Sequence, residues 1–177
     1  MERSRLKQEL IDLAAIMCGN QLSFYQAVIA DAHDTPVVPL SKVFTAEEIE
    51  LIRSVVRPQA KMCYRNAHML TSLFPSRTLY VEGKMSLCGM GFGIDHAWNR
   101  VGDCYVDITA ELALGEKPKE QYLAFGEYPI ATINRVCHKK GTFGEIYKSL
   151  YIEGYGEEKE FQQGRGEEAL HLQGARV

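Results

Sequence analysis

Gly102 and Asp103 stand between two runs of strand-forming side chains, Ile94 to Val101 and Cys104 to Thr109. A two-residue connection is the tightest way to reverse a strand. Glycine in its first position suits a type II′ turn, whose twist matches that of the flanking strands. Such a turn fixes the register: Val101 pairs with Cys104, Trp98 falls opposite Asp107, and His96 opposite Thr109. Because successive side chains alternate between faces, His96, Trp98, Arg100, Tyr105, Asp107 and Thr109 share one face. Ala97, Asn99, Val101, Cys104, Val106 and Ile108 share the other. His96 and Asp107 become diagonal neighbours, within reach of each other. One face is expected to be apolar and buried, the other to present an imidazole beside a carboxylate.

Before the hairpin the period is helical. Leu6, Leu10, Leu13, Ala14 and Met17 recur at helix spacing over 3–18, ending near Gly19-Asn20, and a short second helix is expected over 22–32. Asp34, Thr35, Pro36 and Pro39 make 33–43 a loop. Thr45-Ala46-Glu47-Glu48 is a capping box, opening a helix that buries Ile49, Ile52, Val55 and Val56 and stops at Pro58. A further helix runs from Cys63 to about Phe74, with Cys63, Ala67, Leu70 and Phe74 on one face and Pro75 at its end. Strands are expected at 78–83 and near 122–128, and short helices at 131–139 and 143–150 on either side of Gly141. The order implies an α+β fold, with helices N-terminal and the Cys63 helix packed on a small antiparallel sheet. The domain is expected over 1–152. From 153 to 177 the chain turns to Gly, Glu and Gln, the composition of a mobile tail.

Five cysteines, Cys18, Cys63, Cys88, Cys104 and Cys137, are odd in number and contain no C-x-x-C pair. They do not read as a disulfide framework or a structural zinc site. Neither metal nor cofactor is expected. The run Gly89-Met90-Gly91-Phe92-Gly93 lacks the Gly-Lys-Ser/Thr end of a phosphate loop and is expected instead as a flexible loop beside the cleft. A net charge of −3 gives no electrostatic reason for a nucleic-acid or membrane partner. Without a signal-like or spanning apolar stretch, a reduced, cytoplasmic protein is expected. No feature sets an oligomeric state.

Free thiols are then available for chemistry. The thiolate is the nucleophilic form, and a histidine within hydrogen-bond reach holds it as a thiolate–imidazolium pair. A carboxylate on the other ring nitrogen fixes tautomer and orientation. Cys63 stands at a helix start, where the dipole favours a thiolate, with Lys61 nearby.

Cys63-Tyr64-Arg65-Asn66-Ala67, Tyr80-Val81-Glu82-Gly83, His96-Ala97-Trp98-Asn99 and Val106-Asp107-Ile108-Thr109 together resemble the core of the transglutaminase-like, papain-like cysteine enzymes, over about residues 60–110. The resemblance implies the triad Cys63, His96, Asp107, as nucleophile, general base and acid, and orienting carboxylate. It makes Gln59, four positions before Cys63, an oxyanion candidate beside the Cys63 backbone amide. Trp98, Asn66 and Tyr64 become cleft-lining candidates, although Asn66 and Tyr64 also read as helix surface and core edge, the better reading for Tyr64, and Trp98 reads better as a packing and shielding residue. Glu82 faces either the site or solvent; Asn99, on the face away from His96, is no triad member. The implied substrate is a protein or peptide presenting an amide. Two other functions fit the same residues: a binding or regulatory module with an inert triad, and an acetyltransferase using acyl-coenzyme A, for which no coenzyme-binding feature is seen.

Overall fold

The computed structural model describes residues 4–86, 93–117 and 121–154. The glycine-rich loop lies outside the described residues, apart from Gly93, and so does the tail expected from 153, apart from residues 153 and 154, which are helical. Helix α1 (Arg5–Ala14) starts where the Ser4 hydroxyl accepts the Lys7 amide, and buries Leu6, Leu10 and Ala14. Helix α2 (Gly19–Asp31) follows, then a two-residue strand β1 (His33–Asp34) inside what the sequence suggested was a loop. The capping box at Thr45 forms in full and opens α3 (Ala46–Val55). Helix α4 (Cys63–Leu73) begins at Cys63 itself. Strands β2 (Thr78–Ser86), β3 (Gly93–Val101), β4 (Cys104–Val106) and β5 (Tyr122–Tyr128) precede α5 (Ile130–Lys140), which Gly141 terminates in a left-handed conformation. The last helix, α6, covers 146–154 and not 143–150.

The sheet is antiparallel, in the order β1-β5-β2-β3-β4. Across the hairpin Val101 pairs with Cys104 and Asn99 with Val106, and Gly102 takes the positive φ of 59° that its place in the turn requires. Pairing stops there. The Asp107 carboxylate accepts the amides of Thr109 (2.9 Å) and Ala110 (3.0 Å), and the chain winds into a π-helical turn, Thr109–Ala113. Trp98 and His96 therefore have no ladder partners at Asp107 and Thr109.

The sheet curls until its rims approach. The segment after α2 pairs His33 with Ala124 and Asp34 with Leu123 at the β5 edge. Three residues on, Val37 pairs with Tyr105 at the β4 edge, and the Val38 amide donates to the Tyr105 carbonyl at 2.8 Å. Glu127 of β5 ties the same gap, accepting from the Tyr105 hydroxyl (2.6 Å) and Arg100 (2.8 Å). Inside the curl lies a core of Val81, Met85, Trp98, Tyr122 and Ala124. Outside it, α4 covers the opposite face through Asn99, which donates to the Ala67 carbonyl and the Thr71 hydroxyl. Both faces of the hairpin are thus buried. The face that carries His96 beside Asp107 is turned inward by the curl, which leaves Trp98 with no exposed surface. No helix among the described residues is long and apolar enough to cross a membrane.

Candidate active site

Met62, the residue before α4, makes no side-chain cap, so the first turn presents its amides and partial positive charge beside Cys63. The approach to Cys63 is strained. Arg57 (φ 49°) and Lys61 (φ 65°) are non-glycine residues in left-handed conformation, each costing about 1–3 kcal/mol. Asn66, fully buried, grips the loop between them. Its Oδ1 accepts the Gln59 amide (3.2 Å) and its Nδ2 donates to the Gln59 carbonyl (2.7 Å).

On β3, His96 is 4% exposed. Its Nε2 lies 2.8 Å from Asp107 Oδ2. Cys63 is a near neighbour of the ring, close enough to favour its charged form, and with Nε2 engaged by Asp107, Nδ1 is the nitrogen left for sulfur. Asp107, 2% exposed, is saturated. Oδ2 also accepts the Tyr122 hydroxyl at 3.0 Å, and Oδ1 takes the two amides of the π-helical turn. Trp98 stacks near the imidazole at 6.1 Å between centroids, and Tyr122 lies at 6.3 Å, so the ring is walled by aromatic carbon.

Burial opposes charge on His96. The negative charge of Asp107, its hydrogen bond and the neighbouring Cys63 outweigh that opposition, raising His96 from 6.5 to about 9. Burial pushes Asp107 upward, but His96, the Ala110 amide and the Tyr122 hydroxyl hold it below the ordinary carboxylate range. At neutral pH the pair is imidazolium and carboxylate. A cationic ring at a sulfur atom stabilises negative charge there and carries a proton that can be given to a leaving group.

The sequence-derived candidates separate. Cys63, His96 and Asp107 come together. Tyr64 is half-buried, packs on Gly144, and lines a cavity of about 630 Å³ with Gly83, Asp95, Phe24, Phe125, Tyr147 and Tyr151 among its walls. Trp98 and Asn66 do not line a cleft: Trp98 belongs to the interior of the curled sheet, and Asn66 is spent on backbone bonds. The Gln59 residue is exposed, while its backbone is held by Asn66. Glu82 is buried, accepting the Tyr147 amide (2.9 Å) and the Tyr80 hydroxyl (3.2 Å) at the start of α6. Sequence reasoning missed Tyr122 and Thr109 as partners of this network. Tyr122 opens an expected strand whose neighbour no pattern identified, and the D-x-T spacing was the only signal for Thr109. No protein-family model, curated protein or solved structure matches this chain.

Proposed function

We propose that the protein is a cysteine-nucleophile acyl-transfer enzyme acting on an amide or isopeptide bond, of the transglutaminase-like, papain-like kind. The observation that carries this is the place of His96 between two partners, its Nε2 2.8 Å from Asp107 Oδ2 and Cys63 near enough to the ring to favour its charge. A nucleophile opening a helix that packs against an antiparallel sheet supports the same family's core. In the reaction, Cys63 sulfur forms a bond to the amide carbonyl carbon and the carbon–nitrogen bond breaks. The departing amine takes the proton from His96. Water or a second amine then attacks the thioester, returns a proton to His96, and releases an acid or a new amide. Asp107 keeps the ring oriented throughout, and the uncapped start of α4 offers amides to the oxyanion. The aromatic cavity, which Tyr64 and Asp95 line as the chain neighbours of Cys63 and His96, lies within the size range of ligand sites and gives room for an apolar part of a protein or peptide substrate.

Thiol labelling tests the proposal. Cys63 is expected to react with iodoacetamide at least about tenfold faster than Cys18, Cys104 or Cys137, and His96→Ala removes that advantage. Similar slow rates at every cysteine would leave a binding module on the same scaffold. A stable acyl adduct in the intact mass after incubation with acyl-coenzyme A would instead indicate the acetyltransferase.

A further inference from the structure

We propose that Asn66 and Thr109 are a positioning pair that sets the separation between the helix carrying Cys63 and the turn carrying Asp107. The proposal rests on the acyl-transfer role of Cys63. Asn66 lies three residues after Cys63, one turn into α4, with no exposed surface. Both of its polar atoms are used. Oδ1 accepts the Gln59 amide at 3.2 Å, while Nδ2 donates to the Gln59 carbonyl at 2.7 Å and to Thr109 Oγ1 at 3.0 Å. The first two bonds copy a strand pairing between a side chain and a loop. They act between Arg57 and Lys61, whose left-handed backbones persist only where their surroundings hold them. The third bond leaves the helix and crosses to the π-helical turn.

Thr109 completes the connection. Its hydroxyl meets Asn66, and its own amide donates to Asp107 Oδ1 at 2.9 Å. Cys63 and Asp107 are therefore joined by two routes. One runs through the imidazole of His96. The other runs behind it, through Asn66, Thr109 and the first turn of α4. The two routes flank the site, one in front of the imidazole and one behind it. Among the described residues, neither Asn66 nor Thr109 hydrogen-bonds the sulfur or the imidazole; each acts through the element it holds. The rear route matters because β4 ends at Val106, so no ladder bond fixes Asp107 relative to β3. Without the crossing bond, the turn and the helix could part while each stayed folded, and His96 would have to choose between its two partners.

The test is the rate of Cys63 alkylation by iodoacetamide from pH 5 to 10, followed beside thermal unfolding. Thr109→Val keeps the shape and the amide bond to Asp107 but deletes the acceptor for Asn66. It is expected to lower the Cys63 rate about tenfold or more, the scale on which misplaced reacting groups lose rate. It should also move the alkaline inflection, near 9 where His96 loses its proton, toward the ordinary histidine range. Thr109→Ser keeps the hydroxyl and should restore both. Asn66→Asp, which keeps Oδ1 and loses the donor, should resemble Thr109→Val if it folds; Thr109→Val decides if it does not. A Thr109→Val protein with lower thermal stability but the parent rate and inflection would reduce the pair to a structural clamp and overturn the inference. If the unaltered protein labels Cys63 no faster than Cys18, the acyl-transfer role fails first and the positioning role falls with it.

Discussion

His96 spends one ring nitrogen on Asp107 and leaves the other available to its neighbour Cys63, so the carboxylate decides both the charge and the tautomer of the ring. Asp107→Asn preserves shape but removes the charge. His96 is then expected to fall from about 9 toward 6.5, visible as an upfield-to-downfield titration of its ring protons by NMR. Turnover, once a substrate is found, should drop about 100-fold or more. A second residue-scale case is Gly83, which faces His96 across the ladder at a bulge between β2 and β5. A side chain there would collide with the Leu123 carbonyl, a backbone atom that cannot step aside. Gly83→Ala is expected to cost about 3 kcal/mol in denaturant unfolding, the upper range for overpacking. A loss within a few tenths of a kcal/mol would mean the strands separate freely at that point.

Among the elements, the first turn of α6 is capped by one buried carboxylate, Glu82. Glu82 takes the Tyr147 amide at its first turn, with the amides of Glu145 and Ile146 close by. Burial nevertheless raises Glu82 above the ordinary carboxylate range, so its ionised form is disfavoured in the folded protein. Glu82→Gln, which keeps an acceptor without the charge, should hold or slightly raise stability above pH 5 relative to the parent and lose that difference in acid. Glu82→Ala strands the Tyr147 amide and should cost about 2 kcal/mol. Chemical denaturation of the two variants at pH 4 and 7 separates charge from cap. Elements with local signals were legible in the sequence: the Thr45 box, the Cys63 helix, and the hairpin that Gly102 and Asp103 set. β1 was not, because two residues carry no period and its partner lies some ninety positions along the chain. The end of β4 was misread for a related reason. Val106 to Thr109 alternates like a strand, but Asp107 captures the amides ahead of it and bends the chain into a π-helical turn. Cys63, His96 and Asp107, which the structure brings together, were readable as an ordered string, whereas the bonds of Asn66 depend on a loop geometry that no spacing announces.

At the scale of the whole molecule, the charged pair buried under the curl links stability to pH. His96 is raised in the folded state, so its contribution is complete below its unfolded value of 6.5 and is lost as pH climbs through about 9. Asp107 is lowered, so its contribution is present above its unfolded value of 3.8 and is lost in acid. Thermal stability should therefore be highest between these limits and decline through pH 9 by on the order of 3 kcal/mol. Asp107→Asn should flatten the alkaline decline; a parent profile that stays level from pH 6 to 10 would rule the linkage out. The stretch from His33 to Val38 has a different bearing on the whole. It fastens both margins of the sheet, Ala124 on one side and Tyr105 on the other, within six residues of chain. A circular permutant with new ends at Thr35 would undo two seams with one cut and let the tube spring open into a ribbon. The same rearrangement at Gly102, an exposed hairpin tip, would sever only a turn and leave the tube latched.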